Sequence, residues 1–109
     1  MKGRSVLVLF PFTDLSAVKR RPALVLHERD RDLLVAFISS RIPERKGFNT
    51  VVVDESTKGF DRTGLKRTSG IYTDKLATLA KEMVSGEIGS LGRKWKRRVN
   101  RSLKKVLFL

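Results

Sequence analysis

Leu9-Phe10-Pro11-Phe12-Thr13-Asp14-Leu15, followed by Lys19-Arg20-Arg21-Pro22-Ala23-Leu24-Val25-Leu26, decides how this chain is read. An apolar run from Ser5 to Phe10 reads as a strand and is stopped at Pro11. A second apolar strand begins at Pro22, whose ring fixes its own φ and denies Arg21 the helical region. The stretch between, from about Pro11 to Arg21, is expected to be an irregular loop. A guanidinium held at the mouth of a strand can grip a phosphate through two parallel hydrogen bonds. The order strand, loop, strand therefore places Arg21 where a site would be.

Working outward, apolar alternation and β-branched residues predict further strands over Leu33 to Arg41 and Thr50 to Asp54, with a charged hairpin turn from Glu28 to Asp32. The first three strands are continuously apolar, so both of their faces are expected to be buried. Glu55 to Ser69 is polar, holds Gly59 and Gly64, and reads as a longer loop with functional potential. Short strands are predicted from Ser69 to Leu79, with another over Met83 to Ile88. After Ser90 the period becomes helical: Leu91, Trp95, Val99, Leu103, Val106 and Leu107 recur at spacings of three and four on one stripe. Trp95 is expected to anchor that helix on the sheet. Many short strands closed by one helix, with no helices between them, predict a small, strongly bent barrel in a mainly β protein.

One domain accounts for 109 residues, and a domain of this size buries only about two thirds of the surface its unfolded chain exposes. A second subunit would add to that. Apolar runs such as Ser5 to Phe10 are too short to cross a bilayer. Lys2 and Arg4 ahead of Val6 to Phe10 imitate the start of a secretory signal, but Pro11 and Asp14 end the apolar stretch, so the cytoplasm is the expected compartment. The net charge is +13, from 24 basic and 11 acidic residues. That excess steers polyanions toward the molecule and releases their counterions on binding, which makes nucleic acid the leading partner class. No metal or other cofactor is expected: the chain has no cysteine, its one histidine, His27, reads as a surface residue, and its acids lack ligand spacing. Phosphate-loop, dinucleotide and nucleophile-elbow motifs are missing too.

The opening stretch, together with Ala36-Phe37-Ile38-Ser39-Ser40-Arg41-Ile42, Thr63-Gly64-Leu65-Lys66-Arg67 and Asp74-Lys75-Leu76-Ala77-Thr78-Leu79, resembles the MazF/PemK family of toxin ribonucleases over nearly the whole chain. The resemblance implies an SH3-like barrel with a C-terminal α-helix, a homodimer, and a metal-independent, sequence-selective endoribonuclease acting on single-stranded RNA. It also implies the toxin of a toxin–antitoxin pair, whose cognate antitoxin blocks the RNA groove with an acidic disordered segment. Residue by residue, it assigns catalysis to Arg21, to Ser39 in place of a threonine, and to Asp74. Where PemK-like members carry an arginine two residues before that aspartate, this chain has Tyr72.

RNA cleavage without a metal asks little of a protein, because the 2′-hydroxyl is the nucleophile. The protein positions the phosphate, neutralises charge on its oxygens and lets two protons move. Arg21 suits the second task, and a hydroxyl at Ser39 supplies a further donor, although serine lacks the methyl that stiffens threonine. Asp74 reads as a base or as a partner orienting Arg21, although an aspartate capping a turn is the commoner arrangement. Phe12 and Tyr72 could stack on bases, while Lys19, Arg20 and Arg41 are candidates for contacts to the RNA backbone. The basic helix is either a solvated outer face or a further RNA-contacting surface. Two other functions compete: a non-catalytic basic RNA-binding module, and a topoisomerase poison like the CcdB branch of this fold. The latter fits less well, because the chain ends Val106-Leu107-Phe108-Leu109 with no terminal Trp-Gly-Ile.

Overall fold

Strand β1 (Arg4–Pro11) sends Val6 and Val8 to one face, where both are fully buried, and leaves Leu7 and Leu9 half-buried on the other. That period of two organises a computed structural model that describes residues 1–11 and 18–109. The further strands are β2 (Val18–Glu28), β3 (Asp32–Ser39), β4 (Thr50–Val53), β5 (Ser69–Ala80) and β6 (Val84–Ser90), followed by the helix α1 (Arg93–Leu107). All six strands join in one antiparallel sheet of order β4-β5-β3-β2-β1-β6. The architecture is the expected one, mainly β with a C-terminal helix. The sheet is not closed, however: β4 and β6 remain its two edges and do not pair.

A connector does what strand pairing would have done. Between β4 and β5 the chain crosses from one edge of the sheet to the other and lies against β6. There the 3-10 turn Phe60–Thr63 meets Gly89 so closely that a Cβ on Gly89 would stand 2.3 Å from the Arg62 carbonyl oxygen. Thr63 is fully buried and ties the connector in place. Its carbonyl accepts from Ser5 Oγ at 2.6 Å, and its own hydroxyl donates to the Phe60 carbonyl at 2.6 Å. At the connector's base, the Glu55 amide donates to Thr68 Oγ1 at 3.0 Å, and Asp54 accepts from both the amide and the hydroxyl of Ser56. Those Ser56 hydrogen bonds, the amide's first, lower the Asp54 pKa.

Two strands differ from the sequence reading. β2 begins at Val18, so Lys19, Arg20 and Arg21 are strand residues facing Phe10, Leu9 and Val8 and not part of a loop. Pro22 is tolerated inside the strand because β3 pairs with β2 only from Ala23 onward, and a missing N–H costs nothing beside an unpaired edge. β5 is one strand of 12 residues where short strands were expected. Its pairing with β3 jumps from Ala36↔Leu76 to Phe37↔Tyr72, so Thr73, Asp74 and Lys75 form a bulge. The residues before the bulge also pair with β4, and this interrupted alternation is what reads as separate strands.

The sheet carries core on both faces. One cluster, Leu24, Ala36, Ile38, Val51, Val53 and Ile71, is covered by Leu91 and by Trp95 and Val99 of α1. The other gathers Val6, Val8, Ala23, Val25, Leu33 and Val35, with Leu79 and Met83 packed against it. Each such aliphatic side chain contributes roughly 1.5–3 kcal/mol when fully buried. Trp95 anchors the helix as its spacing predicts. Leu107 does not share the stripe: it is 58% exposed, turned about 100° round the helix from Val106, and buried Ser102 completes the stripe instead. Ser102 can lie in the core because its hydroxyl donates to the Phe48 carbonyl and meets Thr73 Oγ1 at 2.6 Å. No helix among the described residues is long and apolar enough to cross a membrane.

At the far end of β2, Glu28 receives the Lys81 ammonium at 2.8 Å and the N-terminal amine at 2.7 Å. Hydrogen bonding to Lys81, then to the amine, holds its carboxyl at about 2, below the ordinary 4.5. A pKa lowered by folding stabilises fully above the unfolded value and ceases to do so as the pH falls through the folded one. Glu28→Gln is therefore expected to flatten the acid limb of the melting temperature between pH 4.5 and about 2. Superimposable wild-type and variant profiles over that window would rule the ion pair out as a contributor.

Candidate active site and RNA interface

The half-open face of β1 is the floor of a cleft. Leu7 and Leu9 lie at its base, the β2 segment Lys19 to Pro22 forms one wall, and Ile38 to Arg41 at the end of β3 forms another. The connector residues Gly64 to Arg67 form a third, and the space enclosed is ≈ 1160 Å³. A smaller cleft of ≈ 360 Å³ adjoins it, sharing Arg21, Ile38, Ser39 and Arg41 and adding Phe37, Tyr72 and Lys75. Seven Lys and Arg residues line the two clefts and, among the described lining residues, no Asp or Glu does. An apolar floor with cationic walls concentrates positive potential, and so attracts phosphates.

Arg21 and Ser39 line both clefts. Arg21 is exposed, and the proline after it keeps its backbone extended, so the guanidinium projects from the rigid β1–β2 ladder. Ser39 Oγ accepts from the Arg41 amide at 3.1 Å. This hydrogen bond leaves the Ser39 hydroxyl proton to be donated and fixes a side chain that has no methyl to stiffen it.

The remaining candidates divide. Lys19, Arg20 and Arg41 line the larger cleft, and Arg41 and Tyr72 the smaller. The Tyr72 hydroxyl donates to the Arg41 carbonyl, which pins the chain leaving β3, and the Lys75 ammonium sits 4.9 Å from the Tyr72 ring centroid. Asp74 lines neither cleft. It is exposed in the β5 bulge and accepts from Asn49 Nδ2 at 3.0 Å, so its observed contact holds the bulge to the β3–β4 connection. Phe12 lies outside the described residues. Lys66 and Arg67 were not singled out in the sequence as site residues, although Gly64 just before them marks the bend that turns them into the cleft. Gly64 has φ +72°, and a Cβ there would meet the Ile88 carbonyl oxygen at 1.9 Å.

A family model of the PemK-like, MazF-like toxins of type II toxin–antitoxin systems matches residues 3–107. The chain belongs to this family. Solved structures of similar fold include an endoribonuclease in complex with its cognate antitoxin from a mycobacterial species. It is 18% identical, with a TM-score of 0.74 over 100% of this chain and 95% of that one. The Mycobacterium tuberculosis toxin MazF-mt6 is 20% identical, with a TM-score of 0.73 over 97% of each chain. The MazE-MazF complex from Deinococcus radiodurans gives 17% identity and a TM-score of 0.74 over 96% of this chain and 92% of that one. No curated protein sequence matches the chain. At these identities the structural likeness establishes the MazF-type fold, and the sites must be argued from this chain's own residues.

Proposed function

We propose that this MazF/PemK-family chain is a sequence-selective endoribonuclease that cleaves single-stranded RNA without a metal ion, as the toxin of a toxin–antitoxin pair. The observation that carries the reading is the pair of clefts, lined by seven Lys and Arg residues, on which Arg21 and Ser39 converge. In the proposed reaction the 2′-oxygen attacks phosphorus and loses its proton, and the bond to the 5′-oxygen breaks as that oxygen gains one. The products are a 2′,3′-cyclic phosphate and a 5′-hydroxyl. Charge grows on the non-bridging oxygens, where the Arg21 fork and the Ser39 hydroxyl donate. An arginine stabilises charge better than it gives up a proton. In this reading the two protons pass through water.

Lys19, Arg20 and Arg41 hold the backbone on either side of the cut, Tyr72 offers an aromatic face, and Phe12 is retained as a base platform. Asp74 acts through position, keeping the segment that bears Tyr72 and Lys75 in place by its hydrogen bond to Asn49. The partners proposed are a second copy of the chain and a cognate antitoxin with an acidic disordered segment, both in the cytoplasm. Neighbouring structures that contain cognate antitoxin or MazE support an antitoxin as partner.

The test is incubation of a long end-labelled single-stranded RNA with the protein in excess EDTA, with cut sites and end groups mapped. Discrete cuts bearing cyclic phosphates are expected. RNA that is bound but left whole would overturn the enzymatic reading in favour of a binding module.

A further inference from the structure

Helix α1 is built against its own stability. Eight of its 15 residues are Lys or Arg, none is acidic, and the chain has no acid after Glu87. Arg93 and Lys94 stand in the first turn, where the helix's partial positive charge disfavours cations. Arg93/Arg97, Lys94/Arg98, Arg97/Arg101 and Arg101/Lys105 are like-charged neighbours at four-residue spacing and repel. All eight cations are exposed. Outside the helix, 16 basic and 11 acidic residues leave only +5, so α1 carries most of the net +13. Lys104 and Lys105 in the last turn suit the helix dipole, but local rules broken in the first turn and along four like-charged pairs, with no acid placed to relieve them, mark a face kept for a partner.

The chemistry of the face selects that partner. Trp95, Val99 and Ser102 point into the core, and the Lys96 stem packs over Gly3. On the outward arc from Arg93 to Lys105 the one uncharged residue is Asn100. Protein partners dock mainly through apolar and aromatic anchors in desolvated pockets; the arc itself carries none, and the groove of Phe48, Val51 and Val52 adjoins it along Arg98, Arg101 and Lys105. A phosphate backbone needs only a row of cations, and this one runs for about 18 Å at the helical rise. None of the α1 residues lines the Arg21 clefts.

We propose that the outer face of α1 is a second RNA-binding surface, which holds the phosphate backbone of RNA outside the segment seated in the Arg21 cleft. The proposal rests on the endoribonuclease reading for the identity of the polyanion. It implies that the substrate is a long or folded RNA. The molecule measures 33 × 32 × 25 Å. Even at a duplex rise of about 3.4 Å per nucleotide, a strand of about 40 nucleotides reaches past any such dimension.

The test compares a 40-nucleotide RNA with a heptanucleotide, both bound to the Arg21→Ala protein so that they stay whole, over a series of salt concentrations. Changing Arg97, Arg101, Lys104 and Lys105 to Gln is expected to weaken binding of the long RNA by at least about tenfold at low salt. It should also reduce the slope of log K against log salt by about 2–3, some 0.7 for each phosphate no longer neutralised. The heptanucleotide should lose much less. Arg97→Gln with Arg101→Gln alone should give about half the change in slope, and keeps the test open should the fourfold variant fold poorly. Removing the same charge at Arg29, Arg31, Arg45 and Lys46 controls for net charge. An unchanged slope, equal losses for both probes, or an equal effect of the control variant would overturn the proposal. If wild-type protein cuts no RNA, the enzymatic reading fails, while the slopes still report whether the helix binds it.

Discussion

Arg21→Ala is expected to slow RNA cleavage by about 10²–10³-fold, the usual loss when one preorganised transition-state donor is removed, and to leave the fold unchanged. The fold should survive because Arg21 is exposed and lies outside both buried clusters, while its backbone is held by pairing with Val8. The loss should fall mainly on kcat, since the guanidinium meets more charge in the pentacovalent transition state than in the ground-state phosphodiester. Arg21→Lys separates charge from geometry: it keeps the cation but loses the planar fork, so an intermediate rate is expected. Single-turnover cleavage of one mapped site in EDTA, with a melting curve for each variant, is the measurement. A folded Arg21→Ala protein that cuts within threefold of wild type would remove Arg21 from the active site, and with it the cleft as the place of chemistry.

The sequence made the fold legible wherever burial follows a simple period. Val6 and Val8 on β1, and Ala23 and Val25 against Leu24 on β2, obey the strand period of two, and Trp95 and Val99 obey the helical one. Legibility ended where a long-range partner overrides the local pattern. Lys19 to Arg21 read as loop because they are charged and precede a proline, yet pairing with β1 extends the strand through them. Ser102 had no place in the apolar stripe read from the sequence, and the Phe48 carbonyl and Thr73 hydroxyl across the core account for its burial. The open sheet was hidden for the same reason. Nothing in the sequence signals that residues 54–68 cross to β6 except Gly64 and, on β6 itself, Gly89, and their requirement appears only once the two segments face each other.

The candidate site was legible in part. Arg21 could be placed because Pro22 fixes it and Ser39 through the family resemblance, and the structure brings both, with Arg41, into one cleft. Asp74 was singled out by the family resemblance, which matches it to an aspartate of PemK-like members. In the structure it lies in the three-residue bulge after Tyr72, where it accepts from Asn49. Lys66 and Arg67 lay in a loop already read as having functional potential, but their place in the cleft appears only once the far edge of the sheet is known to receive that loop.

Gly89→Ala and Gly64→Ala should be the most damaging single methyl additions, each costing roughly 2–4 kcal/mol of stability. A Cβ on Gly89 would stand 2.3 Å from the Arg62 carbonyl oxygen and 2.5 Å from the Thr63 carbonyl carbon. These are backbone atoms of a turn already tied down by Thr63, so neither can yield as a side-chain tip would. Gly64 combines the same crowding, against Ile88, with a φ of +72° that L-residues rarely adopt. Gly86, on the same β6 strand, is the control: a Cβ there meets nothing within 4 Å, so Gly86→Ala should be neutral or slightly stabilising. Urea unfolding of the three variants reads the difference, and a Gly89→Ala protein as stable as Gly86→Ala would show that the connector does not lock onto β6. The consequence extends to function. Leu65, Lys66 and Arg67 form a cleft wall that hangs from Gly64, so a connector displaced from β6 carries two cations away from the phosphate path. At a temperature where it remains folded, Gly89→Ala should therefore bind RNA with a shallower salt dependence, by about 0.7 in slope for each phosphate the wall no longer neutralises. A methyl group more than one wall away from Arg21 would then weaken RNA binding through the same connector that completes the unclosed sheet.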